Sequence, residues 1–209
     1  MMKKIQLSML MLFAFSTTVF ATGRTMKLDL TSNYVFRGVT QTADKAAVQA
    51  TYELSQSKDT GWYAGLFASN VSKGLETDVY GGLRAAFGRS NAFVIDLGAI
   101  EYMYTDSNFA PFSHEFYAGL SYLDYTYIKY FFGENETRYL DLGISFEVLG
   151  TLNLDLHYGE KFKYPGKANI NDFSASLRKD FDNVKLSGTV TYEDANKQTE
   201  AFVTLGIEF

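Results

Sequence analysis

Apolar and polar residues alternate along this chain in segment after segment, and that period of two constrains its fold more than any other feature. Strict alternation marks a strand whose two faces meet different surroundings. Thr137 to Val148 shows it most plainly. Leu140, Leu142, Ile144, Phe146 and Val148 share one face; Tyr139, Asp141, Gly143, Ser145 and Glu147 share the other. After a turn at Gly150, Leu152, Leu154, Leu156 and Tyr158 oppose Asn153, Asp155, His157 and Gly159. The pattern predicts twelve strands, over 26–37, 45–54, 62–71, 76–87, 92–104, 114–123, 125–132, 138–148, 152–160, 170–179, 184–193 and 200–209. In 92–104 the apolar phase is odd-numbered through Ala99. Glu101 then breaks it, and Ile100, Tyr102 and Tyr104 are even, so a bulge near Gly98 is expected there.

Proline occurs only at Pro111 and Pro165, and Phe, Tyr and Trp make up 16% of the residues, as suits β-structure throughout. Met1 to Ala21 has the order of a secretory leader: Lys3 and Lys4, an apolar run to Phe20, then Val19 and Ala21 as the small residues of a cleavage site. Cleavage near Ala21 leaves 17 basic against 24 acidic residues. That balance argues against a nucleic-acid partner, which needs a clustered basic patch. There is no cysteine, hence no disulfide and no lipidated Cys after the leader. No later segment has the 18 consecutive apolar residues of a transmembrane helix.

Two closed barrels fit such alternation, one soluble with an apolar interior and one membrane-embedded with an apolar exterior. Three features favour the second. The polar face carries Gly, Ser and Thr with Tyr63, Tyr80, Tyr117 and Tyr139, a composition suited to a confined lumen. Aromatic residues of the apolar face sort by height. Tyr34, Phe36, Tyr158 and Tyr192 are expected near one rim, and Tyr52, Trp62, Phe87, Phe93, Tyr122 and Phe209 near the other. The chain also ends on "AFVTLGIEF", with Val203, Leu205, Ile207 and Phe209 alternating up to the carboxylate. That ending resembles the C-terminal signal read by the barrel-assembly machinery. Lipid would cover its apolar face, and pairing with the first strand would close the barrel. The sequence thus predicts an all-β, closed, antiparallel up-and-down transmembrane barrel of about twelve strands. It belongs in the outer membrane of a Gram-negative bacterium, with both termini in the periplasm.

"LTSNYVFRGVTQ" (Leu30 to Gln41) resembles the N-terminal motif of the TorF-type porin family. "GWYAGLFASNV" (Gly61 to Val71), "ETDVYGGLRAAFG" (Glu76 to Gly88) and "DLHYGE" (Asp155 to Glu160) follow in the family's order. Asn33 occupies a position where that pattern has an acidic residue. The resemblance covers nearly all of the chain after the leader. It implies an outer-membrane barrel called a porin by analogy, without an established solute.

About twelve strands ~4.8 Å apart and tilted ~40° give a backbone radius of roughly 12 Å, which leaves a narrow path for ions and small hydrophilic solutes. The charges expected to face inward are Lys27, Asp29, Arg37, Glu53, Asp78, Arg84, Asp96, Glu115, Lys129, Asp141, Glu147, Asp155, Arg178, Lys185, Glu193, Glu200 and Glu208, with His157 among them. Acids outnumber bases in this set, which predicts a weak preference for cations. Many should pair, and Arg84 with Asp96 is the best-placed couple if a three-residue turn follows Gly88. Short outer loops leave little material for a constriction folded into the lumen. Catalysis finds little support. In Ser113-His114-Glu115 adjacent residues point to opposite faces and cannot form a triad. His114 and His157 are too few for a convincing metal site, and no cofactor is implied. The alternative to a channel is a non-conducting barrel with a structural or interaction role; a small outer-membrane enzyme and a soluble barrel are the remoter readings.

Overall fold

The computed structural model describes residues 23–105, 112–123, 125–134, 137–162 and 168–209. The expected leader, Met1 to Ala21, lies outside them. Among the described residues fourteen strands occur in chain order: β1 (Gly23–Thr31), β2 (Val35–Phe36), β3 (Val39–Thr40), β4 (Ala47–Ser55), β5 (Gly61–Val71), β6 (Gly74–Phe87), β7 (Phe93–Tyr104), β8 (Phe112–Tyr122), β9 (Thr126–Gly133), β10 (Arg138–Val148), β11 (Leu152–Phe162), β12 (Ile170–Phe181), β13 (Val184–Glu193) and β14 (Gln198–Glu208). All except β2 and β3 form one closed barrel in which each strand pairs with its neighbours in sequence and β1 pairs with β14. The twelve-strand antiparallel barrel expected from the alternation is therefore present. No helix among the described residues is long and apolar enough to cross a membrane.

The barrel is inside-out relative to a soluble protein. Leu97 is 51% exposed and Leu83 is 62% exposed on the outer surface, while Tyr139 and Glu76 inside are 2% and 1% exposed. A hydrocarbon surround stabilises that arrangement, and water would not. Closure removes the sheet edge, which hydrocarbon could not solvate. Leu30 pairs with Leu205 and Leu28 with Ile207, and the Phe209 amide donates to the Met26 carbonyl at 2.8 Å. Val203, Leu205 and Ile207 share the outward phase of β14, and Phe209, just past its end, is exposed. Both described ends of the chain meet at this rim, here called the terminal rim; the opposite one is the far rim. Phe87, Phe93 and Tyr122 make a run of ring contacts near the terminal rim, and Tyr158 packs on Phe173 toward the far one.

Three expectations need correction. The first strand ends at Thr31, not at 37: after the Ser32 amide bonds the Val203 carbonyl, the chain leaves the wall. Tyr34 and Phe36 consequently do not join an outer aromatic girdle. They pack on the inward rings of Phe67 and Tyr102. Second, β7 has no bulge near Gly98. Its register with β6 and β8 runs unbroken from Phe93 to Met103. The odd face stays outward through Glu101, which sits opposite His114, and the even face puts Ile100 and Tyr102 inside. Third, a constriction does fold into the lumen, and residues 32–46 form it.

Candidate functional site: the lumen

The inner wall is organised by rows of residues that share one register. One row runs through Arg84, Asp96, Gly119, Lys129, Asp141, Gly159 and Asp172 on consecutive strands. Arg84 and Asp96 are therefore opposite one another, but they do not form the ion pair expected from that register. Gly61 and Gly65 leave β5 bare on either side of Tyr63. Arg84 crosses over the Tyr63 ring, 3.8 Å from its centroid, to reach Glu53 at 3.0 Å. Gly119 is the corresponding gap on β8. Lys129 crosses it to Asp96 at 3.1 Å, and Asp96 also accepts a 2.5 Å hydrogen bond from the Tyr63 hydroxyl. Glycine on the intervening strand lets ion pairs skip one strand.

Most of the remaining predicted charges fall into three groups; Arg37 pairs with Glu115 apart from them, and Asp78 faces inward on β6. Asp141 lies 3.0 Å from Nε2 of His157, whose Nδ1 lies 3.5 Å from Asp172, so both ring nitrogens face carboxylates. The Tyr139 hydroxyl donates to Asp172 at 2.9 Å. Near the terminal rim, Asp155 accepts from Ser145 and, at 3.2 Å, from Arg178, while Glu208 takes Lys185 at 2.8 Å and Lys27 at 3.6 Å beside Asp29. Glu147 lies opposite Asn153, open at the same rim. At the far rim Glu200 accepts from Asn33 at 3.1 Å, and Glu193 accepts from the backbone amides of Ala195 and Asn196, which makes it a turn clamp. In the Ser113-His114-Glu115 stretch the side chains diverge. His114 meets Glu134 and the Phe116 ring on the outer side, and Glu115 points inward.

Tyr63, Tyr117, Phe131 and Tyr139 form a buried cluster inside the barrel, with Tyr80 and Ile100 against it. Glycines make room for it. Gly98 faces Tyr117, and Gly82 faces Tyr63, in direct cross-strand register. A Cβ at either glycine would overlap the opposing ring. The cluster fills the β5–β10 side of the lumen and leaves hydroxyls of Ser174, Ser176, Thr189 and Thr204 on the other.

The hairpin of β2 and β3 closes in from the far rim. Val35 pairs with Thr40 and Phe36 with Val39, and the two turn residues, Arg37 and Gly38, have φ of 49° and 76°. This is the geometry of a tight two-residue turn matched to strand twist. Gly38 is required twice over: its φ is positive, and a Cβ there would come within 2.8 Å of Asp172 Cβ and 2.9 Å of Glu193 Cβ on the facing wall. The turn sends Arg37 into the lumen. Its guanidinium makes paired hydrogen bonds to Glu115 at 2.8 and 2.7 Å and lies 4.1 Å from the Tyr139 ring centroid and 4.9 Å from that of Phe131. Arg37 enters the lumen on an inserted hairpin and not on a wall strand.

Two cavities lie toward the terminal rim. One, of about 530 Å³, is lined by Lys58, Arg84, Asp96, Lys129 and Asp141. The other, of about 290 Å³, is lined by Ser145, Asp155, His157, Ser174 and Arg178. Sequence reasoning missed Glu76, Asp172 and Asp180 as inward residues. The signal was available: Glu76 shares its phase with Asp78 and Arg84, and Asp172 and Asp180 share theirs with Arg178.

Residues 19–208 match a family described as a bacterial protein of unknown function, Gcw_chp. The chain belongs to the Gcw_chp family. No curated protein matches its sequence. Among solved structures, the KdgM porin is similar over 88% of this chain and 98% of its own, with a TM-score of 0.65 and 12% identity. The NanC porin is similar over 90% and 99%, with a TM-score of 0.59 and 11% identity. Omp33 of Acinetobacter baumannii is similar over 89% and 96%, with a TM-score of 0.56 and 8% identity. At these identities the likeness shows that this Gcw_chp chain shares their barrel fold.

Proposed function

We propose that this Gcw_chp protein is an outer-membrane, porin-like channel of the TorF type for passive diffusion of ions and small hydrophilic solutes, with a weak preference for cations. The observation that carries the reading is the inside-out barrel with a polar, charge-lined interior: exposed leucines outside, and Arg84, Asp96, Lys129 and Asp141 bordering a cavity of about 530 Å³ inside. The leader ending near Ala21 would deliver the chain to the periplasm. Val203, Leu205, Ile207 and Phe209 would then present it to the barrel-assembly machinery, leaving the terminal rim in the periplasm.

The acidic bias of the lumen separates it from a polyanion carrier. One KdgM structure is in complex with disordered oligogalacturonate, a chain of sugar carboxylates. Here Asp141, Asp155 and Glu147 face the lumen toward the terminal rim, and the inward cations Arg37, Arg84, Lys129 and Arg178 each already sit beside a carboxylate. Fixed negative charge beside a narrow path concentrates cations and repels anions.

Refolded protein in a planar bilayer should give discrete conductance steps. In a salt gradient its reversal potential should have the sign of cation selectivity; the anion sign would refute the charge assignment. The inserted hairpin favours a second reading, a barrel closed at rest, and a membrane-inserted protein without conductance would support it.

A further inference from the structure

Residues 32–46 belong to no wall strand pairing, yet they touch the lumen nearly all round. Tyr34 reaches Phe67 on β5, Phe36 reaches Tyr102 on β7, Arg37 reaches Glu115 on β8, and Gly38 abuts Asp172 and Glu193 on β12 and β13. The ends of the segment are tied to the wall by backbone hydrogen bonds, Ser32 to Val203 and Ser72 to Gln41. The tip is held differently, by ring contacts and by one charged pair, Arg37 with Glu115, to which the Tyr102 hydroxyl adds a 3.0 Å bond.

Under this cover the wall carries a cost that is only partly compensated. Glu76 and Asp78 share the inward face of β6 and are 1% and 8% exposed; Glu76 accepts a 2.6 Å hydrogen bond from the Tyr104 hydroxyl and another from Tyr34 of the segment, while Asp78 Oδ1 is buried without a hydrogen-bond partner among the described residues. The Tyr34 bond to Glu76 favours the covered state, whereas the unpartnered Asp78 oxygen disfavours it, because water would solvate that oxygen once the cover lifted. The paired Arg37–Glu115 contact opposes that tendency. It is the strongest class of hydrogen bond available at the tip, two parallel charge-assisted bonds.

We propose that the 32–46 hairpin is a displaceable plug pinned by Arg37 and Glu115, and that Arg37 sets the width and charge selectivity of the channel. The selectivity part rests on the channel reading above; the plug does not. With the pin intact, Arg37 neutralises Glu115 and occupies the lumen. With Arg37 replaced by a neutral side chain, the path widens and Glu115 adds an uncompensated anion to it.

The natural chain has no cysteine, so a single Thr42→Cys substitution reports on the hairpin. Thr42 is 1% exposed in the pinned state. A membrane-impermeant maleimide should label the introduced thiol slowly in the otherwise natural chain, and about ten-fold faster when Arg37→Gln or Glu115→Gln is added. Tyr102→Phe, which removes one neutral hydrogen bond and no charge, should give a smaller acceleration and guards against misfolding of the charge variants. Heat-modifiable migration on a gel verifies that each barrel is closed. In bilayers Arg37→Gln should raise unit conductance about two-fold and move the reversal potential further toward cations. Unchanged labelling in all three closed variants would overturn the plug. Faster labelling with no conductance in any variant would uphold the plug and refute the channel. Faster labelling with conductance and reversal potential unchanged would show that Arg37 does not set selectivity.

Discussion

Leu97→Arg should cost this barrel about 2–4 kcal/mol of unfolding free energy in lipid vesicles, whereas Thr189→Arg should cost a small fraction of that. Leu97 lies mid-strand on β7, half exposed on the outer face between Leu83 and Ala118 of the neighbouring strands. An arginine there must stay in hydrocarbon, drag water in or bend toward a rim. Thr189 lies mid-strand on β13 and faces inward beside Ser176. An arginine there enters a polar lumen rich in carboxylates. Denaturant titration of both variants in the same vesicles compares them. The opposite ranking would mean that the leucine face is not the lipid face, and the channel reading would fall with it. An outward-facing charge near a rim should be far cheaper, and Glu101 is the natural instance: it is outward, near the far end of β7, opposite His114.

The success of the strand reading and its failures have one origin. A period of two reports only that a segment has two unlike faces; it does not say what lies against each. Along β10 to β13 the faces are lipid and lumen, and the observed strands match the expected ones to within two or three residues. In 32–37 the same alternation persists because the hairpin also has two unlike faces: Tyr34 and Phe36 turn to rings of the wall, and Asn33 and Arg37 to the carboxylates of Glu200 and Glu115, so alternation alone overextends the wall. The pair Arg37-Gly38 carries the correcting signal, since glycine marks a two-residue hairpin turn. In β7 the error runs the other way. Glu101 on the apolar phase and Ile100 and Tyr102 on the polar one look like a phase switch. They are instead a rim charge, a side chain packed on the internal aromatic cluster and a ring that meets the inserted hairpin, none of which a simple lipid-versus-water scheme contains. Registers are legible where turns are short, hence Arg84 opposite Asp96. The ion pairs are not, because they depend on which intervening residue is glycine.

That dependence makes Gly98 a sharper test of the lumen than any charge. Gly98→Val should destabilise the barrel by about 1–3 kcal/mol, the usual cost of overpacking, although the site is a glycine in a strand, where β-propensity alone favours valine. A Cβ there collides with the Tyr117 ring, and Tyr117 cannot simply turn aside. Phe131 packs on it at a centroid distance of 5.3 Å, Lys129 lies 4.9 Å from its ring centroid, and its hydroxyl contacts that of Tyr63. Displacing Tyr117 therefore loosens Tyr63, which holds Asp96, and Asp96 holds Lys129. The change should appear as lost thermal stability and as altered conductance, since Asp96 and Lys129 border the larger cavity. Adding Tyr117→Ala should recover much of the loss by vacating the space. Packing predicts this non-additive rescue and intrinsic strand preference does not: if Gly98→Val were neutral or stabilising, the ring would not lie over the glycine, and the interior would be a water-filled path without an aromatic layer dividing it.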